Sequence, residues 1–148
     1  MTRYVLDTNL YVAADRDPAK AEELIGFYSA FLPFTYLHAI VAQELLLGAV
    51  ESRRSRQIHA AYLAPFEARG RVITPSYQTW KRSGELVAAL VRRRVIAPGS
   101  FGRSFVNDAL LAASCREAGL TLVTANVRDF ARLQRVERFE FVSPWPSA

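Results

Sequence analysis

Short apolar runs alternate with longer segments of helical periodicity along the chain. The first run, Tyr4-Val5-Leu6, contains no polar alternation, which predicts a strand buried on both faces of a parallel sheet. Further strands are predicted at residues 33–36, 71–74, 120–124 and 139–142. With helices between them, the predicted order is β-α-α-β-α-α-β-α-α-β-α-β. This alternation is typical of an α/β fold in which helices cover both faces of a parallel sheet.

Local signals predict where several helices begin and which faces they bury. Thr8 or Asn9 can cap the first helix, Asp17 followed by Pro18 starts the second, and Gly119 ends the one that precedes the fourth strand. The third helix is predicted at about 37–50 and a later one at about 77–94. The residues predicted on apolar helix faces are Ala21, Leu24, Ile25 and Tyr28; Ile40, Val41, Leu45, Leu46 and Leu47; and Trp80, Val87 and Val91.

Four acids lie beside or within apolar segments. Asp7 follows the first strand, Glu44 lies inside an apolar helix, and Asp108 is near the start of another helix. Asp129 follows the strand that ends at Thr124. Each of the first three also has a purely structural interpretation: a cap or turn for Asp7, the solvated side of its helix for Glu44, and the dipole of a first turn for Asp108.

The setting of these acids favours a ligand site at one edge of the sheet. Open α/β sheets bind their ligands at the carboxyl ends of the strands. Carboxylates gathered there repel each other unless a cation joins them. Oxygen ligands favour Mg²⁺ or Mn²⁺. A zinc site is not predicted, because His38 and His59 lie in different segments and no cysteine pair accompanies them.

Composition restricts the class of protein and its partners. A chain of 148 residues suits a single domain spanning residues 1–148. Its only cysteine, Cys115, is predicted to be a small core residue and is consistent with a cytoplasmic location. No apolar run approaches the length that crosses a membrane. The net charge of +5, carried mostly by arginine, favours nucleic acid or an acidic protein as a partner.

Four short motifs, taken together, resemble a known family. They are Leu6-Asp7-Thr8-Asn9, Gln43-Glu44-Leu45-Leu46-Leu47-Gly48, Asn107-Asp108-Ala109-Leu110-Leu111-Ala112-Ala113 and Leu122-Val123-Thr124-Ala125-Asn126-Val127-Arg128-Asp129-Phe130. In order and spacing they resemble the motifs of PIN-domain ribonucleases, and most closely those of the VapC toxins of bacterial toxin–antitoxin pairs. The resemblance spans nearly the whole chain.

The resemblance implies both a fold and a function. The fold would be a PIN-like three-layer α/β/α arrangement with a central, mostly parallel sheet of about five strands. The function would be that of a metal-dependent RNA endonuclease that uses Mg²⁺ or Mn²⁺, forms a homodimer and is inhibited by a small antitoxin protein. In such a site carboxylates hold the metal, and an activated water attacks the phosphodiester.

The motifs also imply roles for individual residues. Asp7, Glu44 and Asp108 would be the main metal-binding and catalytic carboxylates, and Asp129 would be the fourth. Asn126 occupies a position that is acidic in some family members. The supporting polar residues would be Thr8, Asn9, Thr124 and Asn126. RNA could follow two basic clusters, although either could equally be a solvated helical face: Arg53, Arg54 and Arg56, and Arg92, Arg93 and Arg94.

Other functions fit the sequence less well. A haloacid-dehalogenase-type phosphatase needs a second acid two residues after the first, where this chain has Asn9. A receiver domain needs an acidic pair before the end of the first strand and a lysine after a late strand, but the only lysines here are Lys20 and Lys81. Dinucleotide binding needs a glycine-rich turn after the first strand, and this chain has none there. A catalytically silent RNA- or protein-binding module on the same fold remains an alternative, although such a module has no need of intact carboxylates.

Overall fold

A five-stranded parallel sheet forms the centre of the fold. The computed structural model describes residues 1–147, and within them the strand order is β3-β2-β1-β4-β5. All four neighbouring pairs are parallel. The strands are β1 (Tyr4–Leu6), β2 (Thr35–His38), β3 (Val72–Ile73), β4 (Thr121–Val123) and β5 (Glu140–Val142). The prediction of a mostly parallel sheet of about five strands is therefore confirmed.

Helices connect the strands in the predicted order. They are α1 (Thr8–Arg16), α2 (Pro18–Phe31), α3 (Ala39–Leu47), α4 (Ser52–Ile58), α5 (Ala64–Ala68), α6 (Tyr77–Arg92), α7 (Arg103–Ala118) and α8 (Val127–Leu133). A π-helical turn, His59–Leu63, joins α4 to α5. The three-layer α/β/α arrangement is confirmed, with β1 as the middle strand and all three of its residues buried.

The helix caps agree with the sequence in two places and differ in one. Asp17 accepts a hydrogen bond from the Ala19 amide at 2.9 Å and caps α2, and Gly119 ends α7 with a φ of 65°. The prediction that Thr8 or Asn9 caps α1 is wrong, because both lie inside the helix. Asp7 is the cap, since its Oδ1 accepts from the Thr8 amide at 2.8 Å.

The second strand begins later than predicted. It was expected at residues 33–36, but Leu32–Phe34 form a 3₁₀ turn and β2 runs through Thr35–His38. Pro33 accounts for the turn, because its fixed φ suits a helical first position and it has no amide hydrogen for a strand ladder. His38 then caps α3 by accepting from the Ile40 amide at 3.0 Å, so this helix spans Ala39–Leu47 and not 37–50.

Several residues that the sequence pattern assigns to apolar helix faces are exposed. They are Ile25, Leu46, Leu47 and Trp80, with relative exposures of 65%, 38%, 52% and 56%. In α6 the buried face consists of Thr79, Ser83, Leu86, Val87 and Leu90, and this helix packs chiefly against α7. Thr79 and Ser83 carry hydroxyls, so the apolar pattern alone pointed to a different face of the helix.

The core contains the cysteine, as predicted. Cys115 is 1% exposed, and burial together with the nearby charge of Asp7 raises the pKa of its thiol to about 12. A thiol in this setting stays protonated and unreactive at neutral pH. Among residues 1–147 no helix combines the length and the apolar character needed to cross a bilayer.

Candidate functional site

The site lies where β1 and β4 end. Leu6 pairs with Val123 in the parallel ladder, so the next residues of the two strands, Asp7 and Thr124, lie side by side at the carboxyl edge of the sheet. The Thr124 hydroxyl donates to Asp7 Oδ2 at 2.6 Å. It also accepts from the Asn126 amide at 2.9 Å, which fixes the turn after β4. The sheet topology therefore brings together two motifs that are more than 100 residues apart.

Asp7 is both a helix cap and a member of this site. Besides the Thr8 amide and the Thr124 hydroxyl, the side-chain amide of Asn9 donates to its Oδ2 at 3.2 Å. Burial raises the pKa of Asp7, the hydrogen bonds from Thr124 and Thr8 lower it, and the charge of Glu44 raises it. The net shift is upward, so the site does not fully offset the cost of burying this carboxylate.

Glu44 is half-buried and directed towards the same edge of the sheet. The Thr8 hydroxyl donates to its Oε1 at 2.7 Å. The side-chain amide of Asn107 lies 3.5 Å from its Oε2. Sequence reasoning did not single out Asn107, and the one available signal was its position directly before Asp108. Polar groups of α1 and α7 therefore hold the Glu44 carboxylate. The structural interpretation, in which Glu44 simply lies on the solvated side of its helix, does not account for these contacts.

Among the four acids, Asp108 has the most strongly raised pKa. It is 8% exposed and lies in the second turn of α7, so the first-turn dipole does not explain its position. Burial raises the pKa of Asp108 to about 8, and the charges of Asp7, Glu44 and Asp129 contribute to the rise. The other three acids therefore lie close enough to Asp108 to disfavour its charged form.

Asn126 links the last two acids. It caps α8, and its side-chain amide donates to Asp108 Oδ2 at 3.3 Å and to Asp129 Oδ2 at 3.2 Å. Asp129 also lies 3.5 Å from Arg132, one turn further along α8. Among residues 1–147, Asp129 is the one member of the four acids that forms an ion pair with an arginine or lysine. The hydrogen-bond donors to the other three acids are all neutral amides and hydroxyls.

The donor set fits a hard divalent cation. As placed in residues 1–147, no three acidic, histidine or cysteine side chains are close enough together to hold one ion. Neutral amides and hydroxyls separate the carboxylates instead, and Asn126 bridges two of them. The four carboxylates nevertheless offer only oxygen atoms at one edge of the sheet, and in residues 1–147 only Asp129 is paired with an arginine or lysine. Mg²⁺ and Mn²⁺ favour such ligands.

The arginine clusters have mixed settings. Arg54 pairs with Asp15, and both residues line a small cavity of about 70 Å³ that Glu44 also lines. Arg93 donates to the Arg135 carbonyl at 2.9 Å. The other members of the two clusters, Arg53, Arg56, Arg92 and Arg94, are exposed. The fold brings Arg54 to the same small cavity as Glu44, where the ion pair with Asp15 already balances its charge.

A family model for the PIN domain matches residues 4–136 of this chain. The chain belongs to the PIN domain family. The match includes all four acids and the polar residues that bond to them. A search of curated proteins gives no match for this PIN domain.

Solved structures of similar fold include several VapBC complexes and a toxin–antitoxin complex from Klebsiella pneumoniae. VapBC2 from Rickettsia felis, bound to a DNA fragment from its promoter, is 25% identical with a TM-score of 0.67, and the alignment covers 98% of this chain and 100% of that chain. DNA-bound VapBC from Salmonella typhimurium is 23% identical with a TM-score of 0.70, covering 97% and 98%. VapBC-1 from nontypeable Haemophilus influenzae is 23% identical with a TM-score of 0.63, covering 96% and 98%.

Proposed function

We propose that this PIN domain is a divalent-metal-dependent endoribonuclease and the toxin of a toxin–antitoxin pair. The observation that carries the proposal is the group of Asp7, Glu44 and Asp108, which form no ion pair with an arginine or lysine in residues 1–147 although two of them are buried. Perturbed acids at a ligand-binding edge are typical of functional sites. The similarity to VapBC structures supports the toxin assignment.

The four acids would hold Mg²⁺ or Mn²⁺ through their carboxylate oxygens. A metal ion bound there would polarise the scissile phosphodiester and activate a water for attack on phosphorus. Thr8, Asn9, Thr124 and Asn126 orient the carboxylates through the hydrogen bonds described above. Such supporting groups fix the position of ligand side chains and tune their basicity.

The partners follow from the same charge pattern. A small antitoxin that inserts an arginine among Asp7, Glu44 and Asp108 would neutralise the site and displace the metal. A homodimer is part of the proposal, on the basis of family resemblance. The basic net charge of +5 favours the polyanionic substrate over free nucleotides.

Cleavage assays test this proposal. Purified protein is incubated with total RNA and with duplex DNA in Mn²⁺, Mg²⁺ or EDTA, together with Asp7→Asn and, as a control, Glu140→Gln. Glu140 is an exposed acid on β5 that pairs with Thr121 at the opposite end of the strands from the site. We expect discrete RNA fragments that require metal, are abolished by Asp7→Asn and persist in the control.

Two results would count against the proposal. Fragments that persist undiminished in EDTA would exclude the metal mechanism. RNA binding without cleavage under any metal condition would favour the silent binding module instead.

A further inference from the structure

A pocket of about 270 Å³ lies next to Asp7, because its lining includes Asn9, which bonds to Asp7, together with Pro144 and Trp145 of the C-terminal segment. Trp145 forms one wall, while Asn9 and Ala125 lie on the side of the carboxylates and Lys20 and Glu23 on the outer side. The volume is close to the lower end of small-molecule sites, about 300 Å³. The pocket therefore suits a single ring system of a larger ligand.

The pocket and the acids share structural elements. Asn9 lines the pocket, and its side-chain amide nitrogen donates to Asp7 Oδ2 at 3.2 Å. Ala125, also in the lining, lies between Thr124 and Asn126, which bond to Asp7 and to Asp108 respectively. A polymer whose phosphodiester lies at the acids therefore has a neighbouring unit within reach of the pocket.

Trp145 is held in place by two contacts. Its ring packs against Phe27 with centroids 5.2 Å apart, and its indole nitrogen donates to Glu23 Oε2 at 3.2 Å. The same carboxylate oxygen is 3.4 Å from Lys20 Nζ. An aromatic ring fixed on one side and open to a pocket on the other provides a preformed stacking surface, which reduces the entropy lost on binding.

Polar groups surround this aromatic wall. Lys20 also lines the pocket, where about half of its side chain is exposed and its ammonium group is paired with Glu23 at 3.4 Å. On the inner side, the buried amide oxygen of Asn9 has no hydrogen-bond partner among the described residues. A buried acceptor without a donor is unfavourable, and a ligand N–H group that reached this oxygen from the pocket would relieve the cost.

We propose that this pocket binds one nucleobase of single-stranded RNA next to the scissile phosphodiester, with Trp145 as the stacking partner. The inference rests on the proposed function and deepens it, because it names a determinant of substrate choice. Stacking on an aromatic side chain accepts any base through its π-face, and edge contacts then add preference. An apolar side chain of a protein partner would use the aromatic wall but would offer no hydrogen bond to the Asn9 side chain.

The chain provides a matched pair of probes, because Trp80 and Trp145 are its only tryptophans. Trp80 is exposed on α6 and lies outside this pocket. In the variant Trp80→Phe, fluorescence reports Trp145 alone, and in Trp145→Phe it reports Trp80 alone. In EDTA, where no cleavage interferes, we expect a short single-stranded RNA oligonucleotide to quench Trp80→Phe saturably and to leave Trp145→Phe unquenched. Equal quenching of both variants, or none in Trp80→Phe, would overturn the proposal.

Affinity and kinetics provide a second, independent readout. Trp145→Ala should bind the oligonucleotide about 5- to 150-fold more weakly, the range expected on loss of an aromatic stacking partner. Trp145→Phe should retain most of the affinity, which controls for lost packing against Phe27. In cleavage, the Ala variant should raise KM more than it lowers kcat, and its preference among cut positions should weaken. Unchanged affinity, KM and cut positions in a folded Ala variant would contradict the subsite.

The outcomes separate this inference from the proposed function. If the wild type cleaves RNA but Trp145→Ala behaves identically, the subsite is wrong and the nuclease stands. If oligonucleotide quenches Trp145 but no cleavage occurs in any metal, the nuclease proposal fails and the subsite stands as an RNA-binding site. If Trp145→Ala weakens binding of a protein inhibitor and leaves RNA affinity intact, the pocket belongs to that partner and the proposal is overturned.

Discussion

Buried acids occur in two regions of this PIN domain, and the two regions differ in whether arginine side chains pair with the buried carboxylates. Glu137 lies just before β5, near the edge where the strands begin, and its side chain is 1% exposed. Arg82 binds it at 3.1 Å and Arg116 binds it from α7. Burial raises the pKa of Glu137, but hydrogen bonds and charge from the two arginines outweigh this effect and lower it overall.

At the other edge, Asp7, Glu44 and Asp108 form no ion pair with an arginine or lysine in residues 1–147, and of the four acids only Asp129 has one, with Arg132. Burial and mutual repulsion raise the pKa of Asp108 to about 8, whereas Glu137 shifts downward. Both regions contain buried carboxylates, so burial alone does not mark a functional site. The difference is that no arginine or lysine in residues 1–147 pairs with Asp7, Glu44 or Asp108, so the charged form of Asp108 is disfavoured up to about pH 8. We interpret Glu137 as part of the scaffold that joins α6, α7 and the turn before β5, and the four acids as a site that requires a ligand.

The largest expected difference between the two regions is in the free energy of unfolding after one carboxylate charge is removed from each. Glu137→Gln leaves Arg82 and Arg116 without their carboxylate, and we expect a loss of about 1–3 kcal/mol in the free energy of unfolding. This is less than the loss of about 3–5 kcal/mol for a fully buried pair, because both arginines are roughly half exposed. In EDTA at pH 8.5–9, Asp108→Asn should keep or raise stability, by roughly 1 kcal/mol. Urea unfolding of the two variants and the wild type measures this, and clear destabilisation by Asp108→Asn would show that Asp108 is structural.

The differences in unfolding free energy between the wild type and each of the variants Asp108→Asn and Glu137→Gln should change with pH in opposite directions. Because Asp108 has a pKa near 8 in the folded protein and 3.8 as its ordinary value, the folded state binds more protons between these pH values. Stability due to this group therefore falls as pH rises from about 4 to 8, and Asp108→Asn should gain on the wild type across this range. For Glu137 the folded pKa is lowered, so its contribution is present above its ordinary pKa of 4.5 and is lost in acid.

Differences between each variant and the wild type are the quantity to measure here. His38 is buried, and burial lowers its pKa to about 4, so it destabilises the wild type in acid as well. Subtraction removes this shared effect from both comparisons. A gap between Asp108→Asn and the wild type that does not change with pH would show that Asp108 is not perturbed.

The sequence predicts the carboxylate site better than it predicts the scaffold around it. Asp7, Glu44 and Asp108 stand out because an acid inside an apolar segment is unusual, and a parallel sheet then brings the strand ends together. Glu137 did not stand out, because its partners Arg82 and Arg116 lie 55 and 21 residues away. Only the packing of α6 and α7 shows that these charges meet.

Boundaries and exposed faces depend on contacts that local patterns do not contain. The start of α3 depends on the His38 side chain, which caps the helix only because β2 places it there. Leu47 and Trp80 resemble core residues in their apolar side chains, but their exposure depends on which side of each helix packs against neighbouring elements. Tertiary packing overrides the apolar pattern at these positions.

A thermal melt in the presence of metal tests the central claim most directly. Wild type, Asp108→Asn and Glu137→Gln are melted in EDTA and in Mn²⁺ over a range of concentrations. A ligand that binds only the folded state stabilises it by about 2.7 kcal/mol at 100 times its Kd. If the four acids form a cation site, Mn²⁺ raises the Tm of the wild type and of Glu137→Gln by similar amounts and that of Asp108→Asn much less. If Mn²⁺ leaves the wild type unchanged, or shifts all three proteins equally, the acids do not form a metal site.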